Sequence, residues 1–390
     1  MQSLSRFFIA WLLLAGLAAI QAAHASPPST EPGKNNKEKG SPPTNVIFDT
    51  DIYSDIDDML ALAMLNTLQG RGEIRMLAVT VGTEAQWTAP YIDLVDTFYG
   101  HGSVPVGMVS HGISTDTFTQ KPFDGPQPYS PNGVNYTQYI AQLTNPDGTL
   151  IYPHKLVDGR KAEEAVHLLR RVLAAQPDNS AVVISVGYPT NLARLLDSKP
   201  DEVSQLEGRA LVQRKVKLLS LMGGSFAAVD NIPAGDPRLE FNLSMDLPAG
   251  QKVFAEWPAP IVASGCEIGV KMLFPQSSID RYFGYVVHHP IAETYNYVAP
   301  YYRKASEHPD APHDHATFDL TSVLYAARPN DGYFSISEPG KITVLPNGGT
   351  RFEAAPDGPH RYLILTDAQK ARTLEAMVML ASQPPVFRGK

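Results

Sequence analysis

The sequence predicts an α/β fold: an open, mostly parallel, Rossmann-like sheet with flanking helices and a small antiparallel β appendage towards the C-terminus. Three observations predict it. Short continuous apolar runs at 46–48, 75–81, 104–109, 181–186, 216–222 and 260–263 read as strands buried on both faces. Helical patterns at 59–68, 91–99, 161–175, 192–196 and 249–256 separate them, and such alternation calls for parallel pairing with right-handed crossovers. From Phe334 the texture changes to short alternating runs, which suit antiparallel strands.

In chain order, residues 1–25 read as a signal peptide. Arg6 precedes an apolar run at 7–20, and Ala23-His24-Ala25 has the small-x-small form of a cleavage site before Ser26. The run is too short for a good membrane span, so a periplasmic or secreted protein with no stable span after cleavage is expected; a retained anchor is the alternative. Residues 26–44 are polar and rich in Pro, Gly and Lys, the composition of a disordered linker. The folded domain then takes up 45–390. Residues 110–157 break the alternation and read as a long surface excursion, a candidate lid. A Tyr-rich amphipathic helix is expected at 290–306 and another helix at 317–327. The appendage (334–365) has strands at 334–337, 341–345, 350–353 and 361–365. A closing helix follows at 366–381, with Asp367 in its N-cap region.

Composition narrows the function classes. The chain has 390 residues and 43% apolar content, enough for one large core. A formal net charge of −8 without a basic stripe argues against nucleic acid as a partner. Cys266 is the only cysteine, so no internal disulfide forms, and its apolar surroundings at 261–268 make it a buried small side chain. No Cys/His zinc spacing occurs, so a bound metal would be held through oxygen.

The chemistry concentrates in residues 45–63, NVIFDTDIYSDIDDMLALA. A buried strand runs into Asp49, Asp51, Asp55, Asp57 and Asp58, and a helix follows at once. Carboxylates this crowded repel one another, and a divalent cation is the simplest way to neutralise them. A solvated acidic turn capping the helix is the alternative. The position favours the cation, because open α/β sheets bind ligands at the C-terminal ends of their strands. Other strand ends carry Thr83 and Glu84, Thr190 and Asn191, Glu240 and Asn242, and Asp314 or Asp319. Carboxylates with amides suit a hard cation and a polyhydroxyl ligand.

The stretch DTDIYSDIDDMLALA resembles the fingerprint of the inosine–uridine-preferring nucleoside hydrolases, DxDPGxDDxxA in its short form and DTDIGxDxDDxxAL in a longer variant. Further segments are similar in the same order: RMLAVTVG to the second strand, SVPVG to the third and VGYPTNLARLL to the GPLTNLA turn. LLSLMGGSF followed by EFNLSMD is similar to the MGG…EFN…D segment, and TFDLTSVLYAARP to the late segment with the last metal-ligand aspartate. The resemblance covers 46–328. It implies a Ca²⁺-dependent hydrolase that splits a ribonucleoside into ribose and free base, and it suggests homo-oligomers. Carried over residue by residue, Asp51 is the general base and a metal ligand. Asp57, Asp58, the Thr190 carbonyl and Asp319 complete the metal shell. Asp57, Thr83, Met222, Glu240 and Asn242 face the ribose.

Four departures stand out. The fingerprint's Pro-Gly is Ile52-Tyr53, in a loop two residues longer than the short form, so Asp55 competes with Asp51 as base; the strand fixes Asp51, which is preferred. The Gly-Asn ending the second strand is Gly82-Thr83. His313-Asp314 reproduces the family's HD pair literally, but Asp319 opens the helix and is preferred as the ligand. The family's His then falls on Phe318, leaving His313 and His315 as a possible leaving-group region or as surface residues. Trp87, Tyr188 and Phe226 either stack on a base or pack. A catalytically altered, calcium-dependent ribose- or nucleoside-binding protein is the alternative function. A phosphatase using the DxD at 49–51 lacks the expected downstream Lys and Thr motifs.

Overall fold

The computed structural model describes residues 42–53, 55–114, 135–306 and 310–386. The expected signal peptide and most of the expected linker lie outside the described residues, as does 115–134 of the long excursion.

In chain order the strands are β1 Thr44–Thr50, β2 Ile74–Glu84, β3 Val106–Ser114, β4 Glu163–Glu164, β5 Ala181–Ser185, β6 Val216–Met222, β7 Ile261–Ser264, β8 Leu273–Phe274, β9 His315–Ala316, β10 Ser335–Ile336, β11 Gly340–Val344, β12 Thr350–Ala354 and β13 His360–Ile364. Eleven of them form one sheet in the order β12-β11-β13-β7-β6-β5-β1-β2-β3-β4, with β10 pairing to β13; β8 and β9 pair separately. Every pairing from β13 through β4 is parallel. The late antiparallel strands are present, but they are no separate lobe. β13 runs parallel to β7, so residues 334–365 extend the main sheet and cover an edge whose backbone groups would otherwise stay unpaired.

The continuous apolar runs are explained by two cores, one on each face. Val46 and Phe48 of β1 join one core while Ile47 joins the other, and Val182 and Ile184 of β5 oppose Ala181 and Val183 in the same way. Helix α1, Asp57–Arg71, is buried almost all round, because it lies between the sheet and the helices Phe318–Ala327 and Asp367–Ala381. Its sequence is therefore apolar rather than amphipathic.

The helix expected at 161–175 begins later. Residues Glu163 and Glu164 pair with Gly107 and Met108 as β4, and the Glu164 carboxylate then caps His167 N–H at 3.0 Å, starting the helix Ala165–Ala174. The short helices Gly208–Lys215 and Gln276–Tyr282 were not expected; neither is long enough to show a clear period. The closing helix is capped by Thr366 and Gln369 in a reciprocal capping box, one residue before Asp367. No helix among the described residues is long and apolar enough to cross a membrane.

β1 sits where the sheet order reverses, with β2 on one side and β5 on the other, and such a switch point opens a crevice at the strand ends. Asp49 fastens that point. Its buried carboxylate accepts from Thr80 Oγ1 of β2 at 2.6 Å, Ser185 Oγ of β5 at 3.2 Å and Asn191 Nδ2 at 2.8 Å. Burial pushes its pKa up to about 6 despite those donors. Asp49→Ala strands three buried donors, so urea unfolding is expected to show a loss of about 3–5 kcal/mol, with Asp49→Asn losing less because its amide oxygen still accepts.

Candidate active site

β1 delivers Thr50 and Asp51, a loop spans 52–56, and α1 starts at Asp57. Asp57 and Asp58 lie in the first turn of α1, where carboxylates are favoured by the helix dipole. Asp319 lies in the first turn of Phe318–Ala327 and donates its N–H to Asp57 Oδ2 at 2.9 Å. Carboxylate oxygens of Asp57, Asp58 and Asp319 all fall within 4.8 Å of one another, and all three residues are buried. The Thr50 hydroxyl donates to Asp58 Oδ1.

Asp51 is 3% exposed and held from both neighbouring strands. From the β2 side, Thr83 Oγ1 donates to its carbonyl at 3.0 Å. From the β5 side, Gly187 packs so closely that a Cβ there would lie 2.4 Å from Asp51 N, which only glycine permits. Thr83 is itself fully buried, so its hydroxyl steadies the Asp51 main chain. Thr190 opens the helix Thr190–Asp197, and its hydroxyl donates to Asp246 Oδ2 at 2.5 Å.

Met222, Glu240 and Asn242 gather at the ends of β5 and β6. Asn242 Nδ2 donates to the Val186 carbonyl at 2.7 Å and lies 3.3 Å from Met222 Sδ. The two oxygens of Glu240 accept from Asn242 N–H at 3.1 Å and Leu243 N–H at 2.6 Å, and burial pushes its pKa up to about 8. Three of the five residues expected to face the sugar, Met222, Glu240 and Asn242, are thus one cluster. Tyr188 and Phe226 pack instead, Tyr188 edge-on to Phe241 and Phe226 stacked on Tyr362.

The late histidines are not on the surface. His315 is buried, with Nε2 2.7 Å from Asp55 Oδ1, although its N–H does not point along a hydrogen bond, and 4.0 Å from Asp57 Oδ1. Its Nδ1 meets His313 Nε2 at 2.9 Å. Burial pushes the His315 pKa down to about 4 and that of His313 to about 3. Asp55 Oδ1 also accepts from Ile56 N–H and the hydroxyl of Tyr302, which lies on the helix Pro290–Ala305. Asp314 is exposed and accepts from Gln276 N–H, so the aspartate in the cluster is Asp319. Phe318 packs against Gly269, leaving an apolar ring where the family fingerprint has His.

Among the described residues no lysine or arginine pairs with Asp57, Asp58 or Asp319. Burial first, then the neighbouring carboxylates, pushes all three pKa values up, that of Asp57 to about 8. A dry set of oxygen donors with no counter-charge fits a hard divalent cation.

Residues 46–378 match the inosine-uridine preferring nucleoside hydrolases. The chain belongs to that family. Membership makes it a nucleoside hydrolase, an N-glycosidase, and the sheet of eleven strands is that fold. Similar solved structures include a purine-preferring ribonucleoside hydrolase from Gardnerella vaginalis (TM-score 0.62, 17% identity, 88% of this chain and 99% of that one). An inosine-uridine preferring nucleoside hydrolase from Bacillus anthracis is similar at TM-score 0.59 and 17% identity, over 87% of this chain and 99% of that one. The type III effector protein XopQ, solved with adenosine diphosphate ribose, follows at TM-score 0.52 and 16% identity, over 87% and 92%. No curated protein matches by sequence.

Gly187, Asp246 and Tyr302 fall within segments legible in the sequence, but their contacts there are not, and Tyr136, which also contacts the acidic loop, was missed.

Raised carboxylate pKa values mean that the folded, cation-free protein binds more protons than the unfolded chain, so its stability falls as pH rises from about 4 towards 8. Calcium at a hundred times its Kd is expected to add about 2.7 kcal/mol. In thermal melts it should raise Tm more at pH 8 than at pH 5, and Asp58→Asn should blunt the rise.

Proposed function

We propose that the protein hydrolyses the N-glycosidic bond of ribonucleosides in a calcium-dependent reaction, releasing ribose and free base. The observation that carries this reading is the convergence of Asp57, Asp58 and Asp319 beside a locked Asp51 in a chain of this family. Asp51, Asp57, Asp58, Asp319 and the Thr190 carbonyl would hold Ca²⁺, which when bound acidifies a water and grips a vicinal diol.

The chain's own residues do the rest. Asp51 takes a proton from the water whose oxygen bonds to C1′. The C1′–N bond breaks, and its electron pair leaves with the base. Positive charge develops on the sugar ring, and the surrounding carboxylates stabilise it. Asn242 and Glu240 orient the ribose hydroxyls, with Met222 against the ring. On the leaving-group side Phe318 has no proton to give, and both nitrogens of His315 face Asp55 and His313. The reading therefore favours nucleosides whose base departs readily as an anion.

A second reading, a nucleoside-binding protein with little turnover, is favoured by the same Phe318. Calorimetry with tight nucleoside binding and no sugar release would select it. We also read residues 1–25 as an export signal to the periplasm or exterior, and expect homo-oligomers, which light scattering measures.

For the first reading, purified protein with Ca²⁺ should release reducing sugar from inosine, uridine or adenosine, and a chelator should stop it. Asp51→Asn should lower kcat about 10²–10⁴-fold, the usual weight of a general base. A cation-loaded protein inert towards purine nucleosides, pyrimidine nucleosides and nicotinamide riboside would sink it.

A further inference from the structure

The acidic loop is two residues longer than the short fingerprint, and its backbone follows β1, which ends at Thr50, and precedes α1, which starts at Asp57. Two tyrosine hydroxyls hold that backbone. Tyr136, from the helix Tyr136–Ala141, is fully buried. Its hydroxyl accepts from Tyr53 N–H at 2.9 Å and donates to the Asp55 carbonyl at 2.7 Å, so one oxygen bridges residues 53 and 55. Tyr53 has a φ of 136°, a conformation that a bulky residue keeps only when its surroundings impose it.

Tyr302, from the helix Pro290–Ala305, works on the side chain. Its hydroxyl donates at 2.8 Å to Asp55 Oδ1, the same oxygen that accepts Ile56 N–H at 2.7 Å. The Tyr302 ring lies flat on His313, with centroids 4.4 Å apart and planes 3° apart, and His313 bonds His315 beside Asp55. The two helices are also fastened to each other, through Tyr139 and Tyr297 stacked at 4.0 Å.

We propose that Tyr136 and Tyr302 are positioning residues. Their hydroxyls hold Tyr53 and Asp55 in place and thereby set how Asp51 converges with Asp57 and Asp58 on the cation. This rests on the calcium-dependent reading above. Asp55 is then the point through which the loop is tied.

Tyr136→Phe and Tyr302→Phe remove one oxygen each. Tyr91→Phe is the control: its hydroxyl is equally buried, bonds Thr294 Oγ1 at 2.7 Å, and its ring packs edge-on against Tyr136. Calcium affinity is measured by titration calorimetry, alongside Tm and the kcat and KM for a nucleoside. Loss of a partner directly behind a metal ligand typically weakens binding roughly 10–100-fold, and these hydroxyls act through the loop, so the lower end of that range applies. Tyr136→Phe and Tyr302→Phe should each weaken Ca²⁺ binding by about tenfold or more, with kcat largely recovered at saturating Ca²⁺. Tyr91→Phe should lower Tm but keep wild-type Ca²⁺ affinity. Affinities of the first two within twofold of wild type overturn the proposal, as does an equal loss in Tyr91→Phe. Wild-type protein that binds no Ca²⁺ overturns the calcium reading and takes the proposal with it; wild type that binds beside unaffected variants overturns the proposal alone.

Discussion

The structure depends on one electrostatic constraint: buried carboxylates meeting at the end of one central strand, with no lysine or arginine paired to Asp57, Asp58 or Asp319 among the described residues. Such a cluster is unfavourable by itself, because each charge loses water and then faces its neighbours. Much of the local architecture keeps the carboxylates together regardless. β1 is central and covered on both faces, α1 is buried on nearly all sides, and the helix bearing Asp319 packs directly on α1. A strand, a loop and two helix starts are therefore brought to one place by apolar packing, and the polar residues ride on that frame.

Partners, more than residue type, separate the roles of the aspartates. Asp49 meets three neutral donors from β2, β5 and the following helix, and its raised pKa of about 6 has burial as its cause. Nothing further is needed to satisfy it, and it serves the sheet. Asp58 has one hydroxyl donor, from Thr50, and Asp57 one N–H, from Asp319. With fewer donors and more like charge around them, these carboxylates retain the capacity to hold a cation. Asp55 lies between the two cases, since its Oδ1 accepts from Ile56 and Tyr302, with His315 Nε2 2.7 Å away.

The parts of this arrangement that are local in sequence could be read there. Apolar runs bounded by polar strand ends disclose the parallel strands, and five aspartates within ten residues disclose the cluster. Asp319 could be preferred to Asp314 because it opens an apolar helix, and the structure places it against Asp57. What could not be read depends on distant partners. Tyr136 and Tyr302 reach Asp55 across 81 and 247 residues, and nothing in a tyrosine's neighbours reveals that its hydroxyl ends on an acidic loop. The joining of the late antiparallel strands to β7 is equally non-local, since alternation shows that strands exist and not which edge they meet. The histidines illustrate the same limit: a polar loop sequence suggested exposure, whereas tertiary packing buries His315.

The two sides of the pocket have departed unequally from the family fingerprint. On the side of the attacking water, Asp51, Asp57, Asp58 and Asp319 are all retained, and Thr83, in place of asparagine, has become a support for the Asp51 carbonyl. On the leaving-group side the family's His is Phe318, and the nearby polar groups are engaged with one another: Tyr302 with Asp55, His315 with Asp55 and His313, His313 with Tyr302. Burial lowers the pKa of both histidines, to about 4 for His315 and about 3 for His313. The proposed reaction would therefore draw mainly on the nucleophile side, through activation of water and stabilisation of the sugar's developing charge. A substrate that needs little help in releasing its base suits that division. The same polar network ties Asp55, Tyr302, His313 and His315 into one group, so the groups beside the proposed leaving-group side also contact the acidic loop.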